Sequence, residues 1–170
     1  TNVAPALALD AVAAILENGV ATLTGTITDP GTLDTFTLDI DWGDPLSPDN
    51  SEQYTFAASE TGSQGFTLTH QYLDDNPGAT AVDTYTISAT LTDDDTGEDT
   101  QGTTVTVANV APQLEAVSAT SVDENGVVHL TGTYSDVGTQ DTHTVTVDWG
   151  EGAPETVDVS GGEFDITHRY

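Results

Sequence analysis

The sequence predicts an all-β fold, and three observations carry that expectation. Apolar and polar residues alternate with period two in Leu23-Thr24-Gly25-Thr26-Ile27, Phe36-Thr37-Leu38-Asp39-Ile40-Asp41-Trp42 and Val145-Thr146-Val147-Asp148-Trp149. That pattern belongs to half-buried antiparallel strands. Threonine fills most of the outward positions, where its branched side chain suits a pleated surface. Helical periodicity is confined to residues 6–16, which carry no caps. A hydrophobic fraction of 36% laid out this way separates the chain from a disordered one, despite its net charge of −28.

Along the chain, the strand around Leu23 is followed by the strand ending at Trp42 and by a loop at residues 45–50, rich in Pro, Ser and Asp. The next strand sets Phe66, Leu68, His70 and Tyr72 on one face. Residues 83–92 then place Tyr85, Ile87, Ala89 and Leu91 together, and residues 102–107 form a last strand. The pattern then starts again. Asn2-Val3-Ala4-Pro5, Glu17-Asn18-Gly19 and Asp41-Trp42-Gly43 return as Asn109-Val110-Ala111-Pro112, Glu124-Asn125-Gly126 and Asp148-Trp149-Gly150, each 107 residues later. About 22 of the first 43 positions are identical without a gap. His70-Gln71-Tyr72 returns as His168-Arg169-Tyr170 at an offset of 98, so the first copy carries nine more residues in its 45–50 loop region. The expected domains are residues 1–107 and 108–170, the second copy lacking its last two strands. Absence of methionine reads as an internal piece of a longer polypeptide.

The charge excludes several function classes. Against 29 acidic residues stands one basic residue, Arg169. Nucleic-acid binding runs on Lys and Arg neutralising phosphates, so no nucleic-acid partner is expected. Anionic membrane surfaces repel such a chain, and no apolar run reaches the roughly 20 residues that span a bilayer, so no membrane insertion is expected. Without lysine there is no Schiff-base chemistry and no Walker-type phosphate site. Without cysteine there are no disulfides and no Cys-type zinc.

Strand number, turn spacing and a repeat near 100 residues point to an immunoglobulin-like antiparallel β-sandwich in tandem. The motifs Ile40-Asp41-Trp42-Gly43-Asp44, His70-Gln71-Tyr72, Tyr85-Thr86-Ile87 and Thr92-Asp93-Asp94-Asp95 resemble those of the polycystic kidney disease (PKD) domain. The resemblance covers the first copy and the available part of the second. Two departures stand out. Ile40 and Val147 occupy the usual tryptophan position of that family, and Pro45 replaces its second glycine, which Gly152 keeps. The variant resembles the PKD-type repeats of large bacterial surface and adhesin-like proteins. That resemblance implies an extracellular or cell-surface location, bacterial in origin, and a spacing role.

Each conspicuous residue has a bland reading and a sharper one. Trp42 and Trp149 lie on the apolar face, which favours core packing over stacking on sugars. Gly25 and Gly132 fall on the inward face of the neighbouring strand and are expected to make room for an indole. His70 and His168, in line with Tyr72 and Tyr170, read as core histidines, since no partner ligand lies at metal spacing. His129 aligns with Thr22 and His143 with Phe36, so neither marks a repeated site.

Carboxylates carry the sharper question. In a sandwich of alternating strands, the loops at Glu17, Asp41, Asp44, Asp74, Asp75 and Asn76 gather at the end where the linker Asn109 leaves. Asp136 and Asp141 of the next copy face them. The expected cofactor is therefore calcium at the junction, a hard cation on oxygen ligands, against the alternative of plain solvated acid. The corresponding N-terminal set is Asp29, Asp34 and Asp93–95. Asp39 and Asp41 share one strand face but are threonine-flanked and outward, where nothing would raise a pKa for acid catalysis. No enzyme is expected. The leading function is a structural spacer of a large extracellular or cell-surface protein, an adhesin-like stalk. Its partners would be neighbouring repeats of the same chain, and glycans or proteins on a target surface. The alternative is an accessory carbohydrate- or protein-binding domain of a secreted hydrolase, with Tyr54, Phe56 and Tyr134 as the available aromatics.

Overall fold

The computed structural model describes residues 2–75 and 80–170. Among them there is no helix, and thirteen strands make the chain all-β. Two compact units divide between Asn109 and Val110.

The first unit holds β1 (Ala6–Leu9), β2 (Ile15–Leu16), β3 (Gly19–Thr28), β4 (Phe36–Asp41), β5 (Ser51–Phe56), β6 (Ser63–Tyr72), β7 (Val82–Asp93) and β8 (Glu98–Ala108). One sheet runs β1-β3-β6 and the other β2-β8-β7-β4-β5. All pairings are antiparallel except β2 with β8, which is parallel at Ile15↔Val107 and Leu16↔Ala108. Residues 6–16, the one helical candidate, are therefore two short edge strands. The chain pairs with β3 at Leu7↔Ile27 and then changes sheet within a few residues. Two such short strands give too few alternating positions for period two to be visible.

Alternation does its work in the longer strands. Ala21, Leu23 and Ile27 of β3, Phe36, Leu38 and Ile40 of β4, Phe66 and Leu68 of β6, Ile87, Ala89 and Leu91 of β7 and Val105 and Val107 of β8 are all buried. They form one core, so the inward faces of the two sheets share it. Outward threonines pair across strands, as at Thr90 and Thr100, whose hydroxyls lie 3.2 Å apart.

The second unit holds β9 (Gln113–Ala119), β10 (Val127–Ser135), β11 (His143–Val147), β12 (Glu155–Val159) and β13 (Glu163–Arg169). Its sheets are β9-β10-β13 and β11-β12. Only Val147, Phe164 and Ile166 are buried in its core, with Leu130, Tyr134, Val145 and Trp149 partly covered. Within this chain it has no counterpart of β7 and β8, which supply Tyr85, Ile87, Leu91, Val105 and Val107 to the first core.

Candidate functional site

In both units the second strand after the Asp-Trp-Gly turn, β6 in the first and β13 in the second, delivers a histidine to the tryptophan. The Trp42 and His70 rings stack at 5.1 Å and 13°, and Trp149 and His168 at 4.8 Å and 13°. Each histidine meets a tyrosine edge-on, Tyr72 at 4.8 Å and Tyr170 at 4.9 Å. Each tyrosine hydroxyl donates to the tryptophan carbonyl, at 2.7 Å in the first unit and 2.9 Å in the second. A carboxylate partners each histidine: Asp44 lies 3.3 Å from His70 Nε2, and Glu151 lies 2.9 Å from His168 Nε2. The indole N–H groups donate to Glu52 at 2.8 Å and to Glu155 at 3.2 Å. Trp42, Tyr72, His70 and Tyr85 are all buried, and the Tyr85 hydroxyl donates to the Asp74 carbonyl.

Two expectations about this cluster need correction. Trp149 and His168 are only half-buried, and Tyr170 is 49% exposed. In the first unit β7 pairs alongside β4, the strand that leads to Trp42, whereas β11, which leads to Trp149, pairs only with β12. Gly25 and Gly132 make room for a phenylalanine, not for an indole. Gly25 lies directly opposite Phe66 and Gly132 opposite Phe164. A Cβ on Gly25 would sit 2.5 Å from Phe66 Cζ and 2.5 Å from the Ala8 carbonyl oxygen, and one on Gly132 would meet Phe164 Cζ.

The tyrosines carry a pH signature. Burial, and then the nearby charges led by Asp44, push the Tyr72 and Tyr85 phenols well above their ordinary value of 10.0. Burial and the hydrogen bond to Glu52 push Tyr54 up to about 12. A raised phenol pKa means that the folded chain keeps a proton which the unfolded chain releases. The stabilisation is thus complete below pH 10 and is lost as pH rises through the folded values. An alkaline absorbance titration of the native protein should show these three tyrosines titrating late, together with unfolding. Ionisation of all tyrosines near pH 10 in a still-folded chain would contradict this.

Of the residues expected around calcium, some come together within each unit and others are engaged elsewhere. Glu17, Asp74 and Asp75 are buried in the first unit and bring one oxygen each within 4.8 Å of one another. Asp44 is occupied with His70, while Asp41 is exposed, its Oδ1 accepting from the Gly43 N–H. Asn109 donates its backbone N–H to the Ala81 carbonyl. Asn76 lies outside the described residues. In the second unit Asp136 and Asp141 meet His143, whose Nε2 is 2.7 Å from Asp136 Oδ2, and all three line an open cleft with Tyr134. Aligning His143 with Phe36 hid this cluster, because the signal lay in the carboxylates beside it.

A third cluster lies where β3, the loop before β4 and the end of β7 meet. Asp29, Asp34 and Asp93 each offer an oxygen within 4.8 Å of the others. Asp29 and Asp93 are buried and Asp34 is partly exposed. Asp29 Oδ1 accepts from the Gly31 N–H at 2.6 Å. Asp93 Oδ1 accepts from the N–H groups of Asp95 and Gly97, and its Oδ2 from the Asn2 amide. Burial raises the Asp93 pKa, but these three hydrogen bonds outweigh it and hold the carboxyl below its ordinary value. Desolvation and then the charges of Asp29, Asp94, Asp93 and Asp95 push Asp34 upward.

No protein-family model matches the sequence, and no curated protein matches it significantly. Among solved structures, the sporulation control protein Spo0M from Bacillus subtilis shares 8% identity with this chain at a TM-score of 0.36, the match covering 98% of this chain and 89% of that one.

Proposed function

We propose that the chain is a non-catalytic spacer of a large extracellular or cell-surface protein, an adhesin-like stalk built from tandem PKD-type, immunoglobulin-like sandwiches. The observation that carries this reading is the twice-built Trp–His–Tyr stack. Residues 107 and 98 positions apart make the same ring geometry, the same hydroxyl-to-carbonyl bond and the same carboxylate contact in two units. Repetition of one device, buried in the first unit and half-buried in the second, is what an array of like modules uses. Asp39 and Asp41, the carboxylates paired on one face of β4, are exposed and engaged with Gln53 and with Gly43.

Stacking on sugars needs free aromatic faces in a row. Tyr54 and Phe56 pack against the first core, Tyr134 packs against the second, and the Tyr54 hydroxyl is bound to Glu52. That packing favours the spacer over an accessory glycan-binding domain. A chitin pull-down together with a glycan array tests the choice. The spacer should pass through unretained, and specific retention on any glycan overturns the reading.

A further inference from the structure

We propose that Asp29, Asp34 and Asp93 form a site for a hard divalent cation, calcium by its chemistry, within the first unit. The site is independent of the spacer reading, since a module of any function would hold the ion in the same way.

Two separate observations support it. The first is convergence, with three carboxylates presenting oxygens within 4.8 Å of one another. The second is an orphaned atom. Asp29 is only 4% exposed, its Oδ1 is held by the Gly31 N–H, and its Oδ2 is buried without a hydrogen-bond partner among the described residues. A buried carboxylate oxygen without a donor is costly. No basic side chain of this unit is placed to offset it, because the sole Lys or Arg of the sequence is Arg169 in the second unit and His70 is engaged with Asp44.

The donor set selects the ion. All three ligands are carboxylate oxygens, which suit hard cations and not the softer metals that prefer imidazole or thiolate. Calcium accepts six to eight oxygens in flexible geometry, so bidentate carboxylates and water complete its shell, whereas magnesium demands a strict octahedron. The protein also fixes the ligands in advance. Backbone N–H groups hold Asp29 and Asp93, and Thr96 adopts φ 73° to close the turn that brings them to Asp93. A Cβ on Gly31 would run into the Asp34 carboxylate, so glycine leaves the ligand its place.

The second unit supplies an internal control. Asp136, Gly138 and Asp141 repeat Asp29, Gly31 and Asp34, including a Gly138 N–H to Asp136 Oδ1 bond of 3.3 Å. There, however, His143 occupies the third corner and takes the oxygen of Asp136 that corresponds to the orphan. The first-unit site is therefore separable by mutation.

Calcium equilibrium dialysis and calorimetric melting of the full chain provide the test. A site with a dissociation constant on the order of 10⁻⁴–10⁻³ M is expected. At calcium about a hundredfold above that constant, the transition of the first unit should rise by roughly 10 °C. Asp29→Asn keeps an acceptor for the Gly31 N–H, so it should melt normally in EDTA while binding calcium at least about tenfold more weakly. Asp34→Asn, at a partly exposed position, should act in the same direction. Asp136→Asn should leave the site intact. The proposal is overturned by an unchanged melt in calcium, by binding that survives both first-unit variants, by binding lost only in Asp136→Asn, or by equal stabilisation from magnesium.

Discussion

Replacing Trp42 by alanine should cost the first unit about 3–5 kcal/mol, the usual loss for a fully buried large aromatic side chain. The indole is 0% exposed, stacks on His70 and donates to Glu52. Its removal leaves a cavity beside Tyr72 and frees one lone pair of a carboxylate that then keeps only the Tyr54 hydroxyl. A domain stabilised by about 5–15 kcal/mol would be brought close to its limit. Trp149→Ala removes the same ring from the same stack, but a half-buried one with a longer N–H bond of 3.2 Å. Its cost should be clearly smaller. Urea unfolding followed by near-ultraviolet circular dichroism measures both, and equal losses would show that burial does not set the contribution of the stack.

Gly25→Val should be nearly as damaging, at about 3 kcal/mol, the upper part of the range for overpacking a filled core. The added Cβ meets both an aromatic ring and a backbone carbonyl. The ring can turn aside more readily than the Ala8 oxygen, which is tied into the β1–β3 pair. Shortening Phe66 to alanine in the same chain should therefore recover only part of the loss. Full recovery would mean that the ring alone enforces glycine, and no loss in the single variant would mean that β1 moves freely.

The long strands were legible in the sequence because each has a solvent face and a core face. β3, β4, β6 and β7 repeat the in-and-out pattern that period two describes. β1 and β2 were not legible, being edge pieces of four and two residues. β9 was hidden for another reason: all seven of its residues are exposed, so burial imposes no alternation on it. The partner of Gly25 is not legible in the sequence, because alternation shows the inward face of a strand but not its register. A direct Gly25↔Phe66 pairing is a three-dimensional fact that composition does not encode. Among the carboxylates, loop alternation places Asp29, Asp34 and Asp93–95 at one end; Asp29, Asp34 and Asp93 come together, while Asp94 and Asp95 are not in that group. Loop proximity also groups Asp41 and Asp44 with Glu17, Asp74 and Asp75, since it does not say which side chain turns inward. Asp44 turns toward His70 and Asp41 toward its own turn.

The sheet change between β1 and β2 has a mechanical consequence. β2 lies parallel to β8, with the Glu17 N–H bonded to the Ala108 carbonyl just beyond the paired residues. Tension on the chain enters the first unit through β1 and β2 and leaves through β8. In a parallel pair those two directions of pull slide one strand along the other. The bridging bonds then share the load and must rupture together, whereas strands peeled from a common end give way one bond at a time. Once tension passes β1, a patch of only two paired residues between β2 and β8 is loaded in this shearing direction.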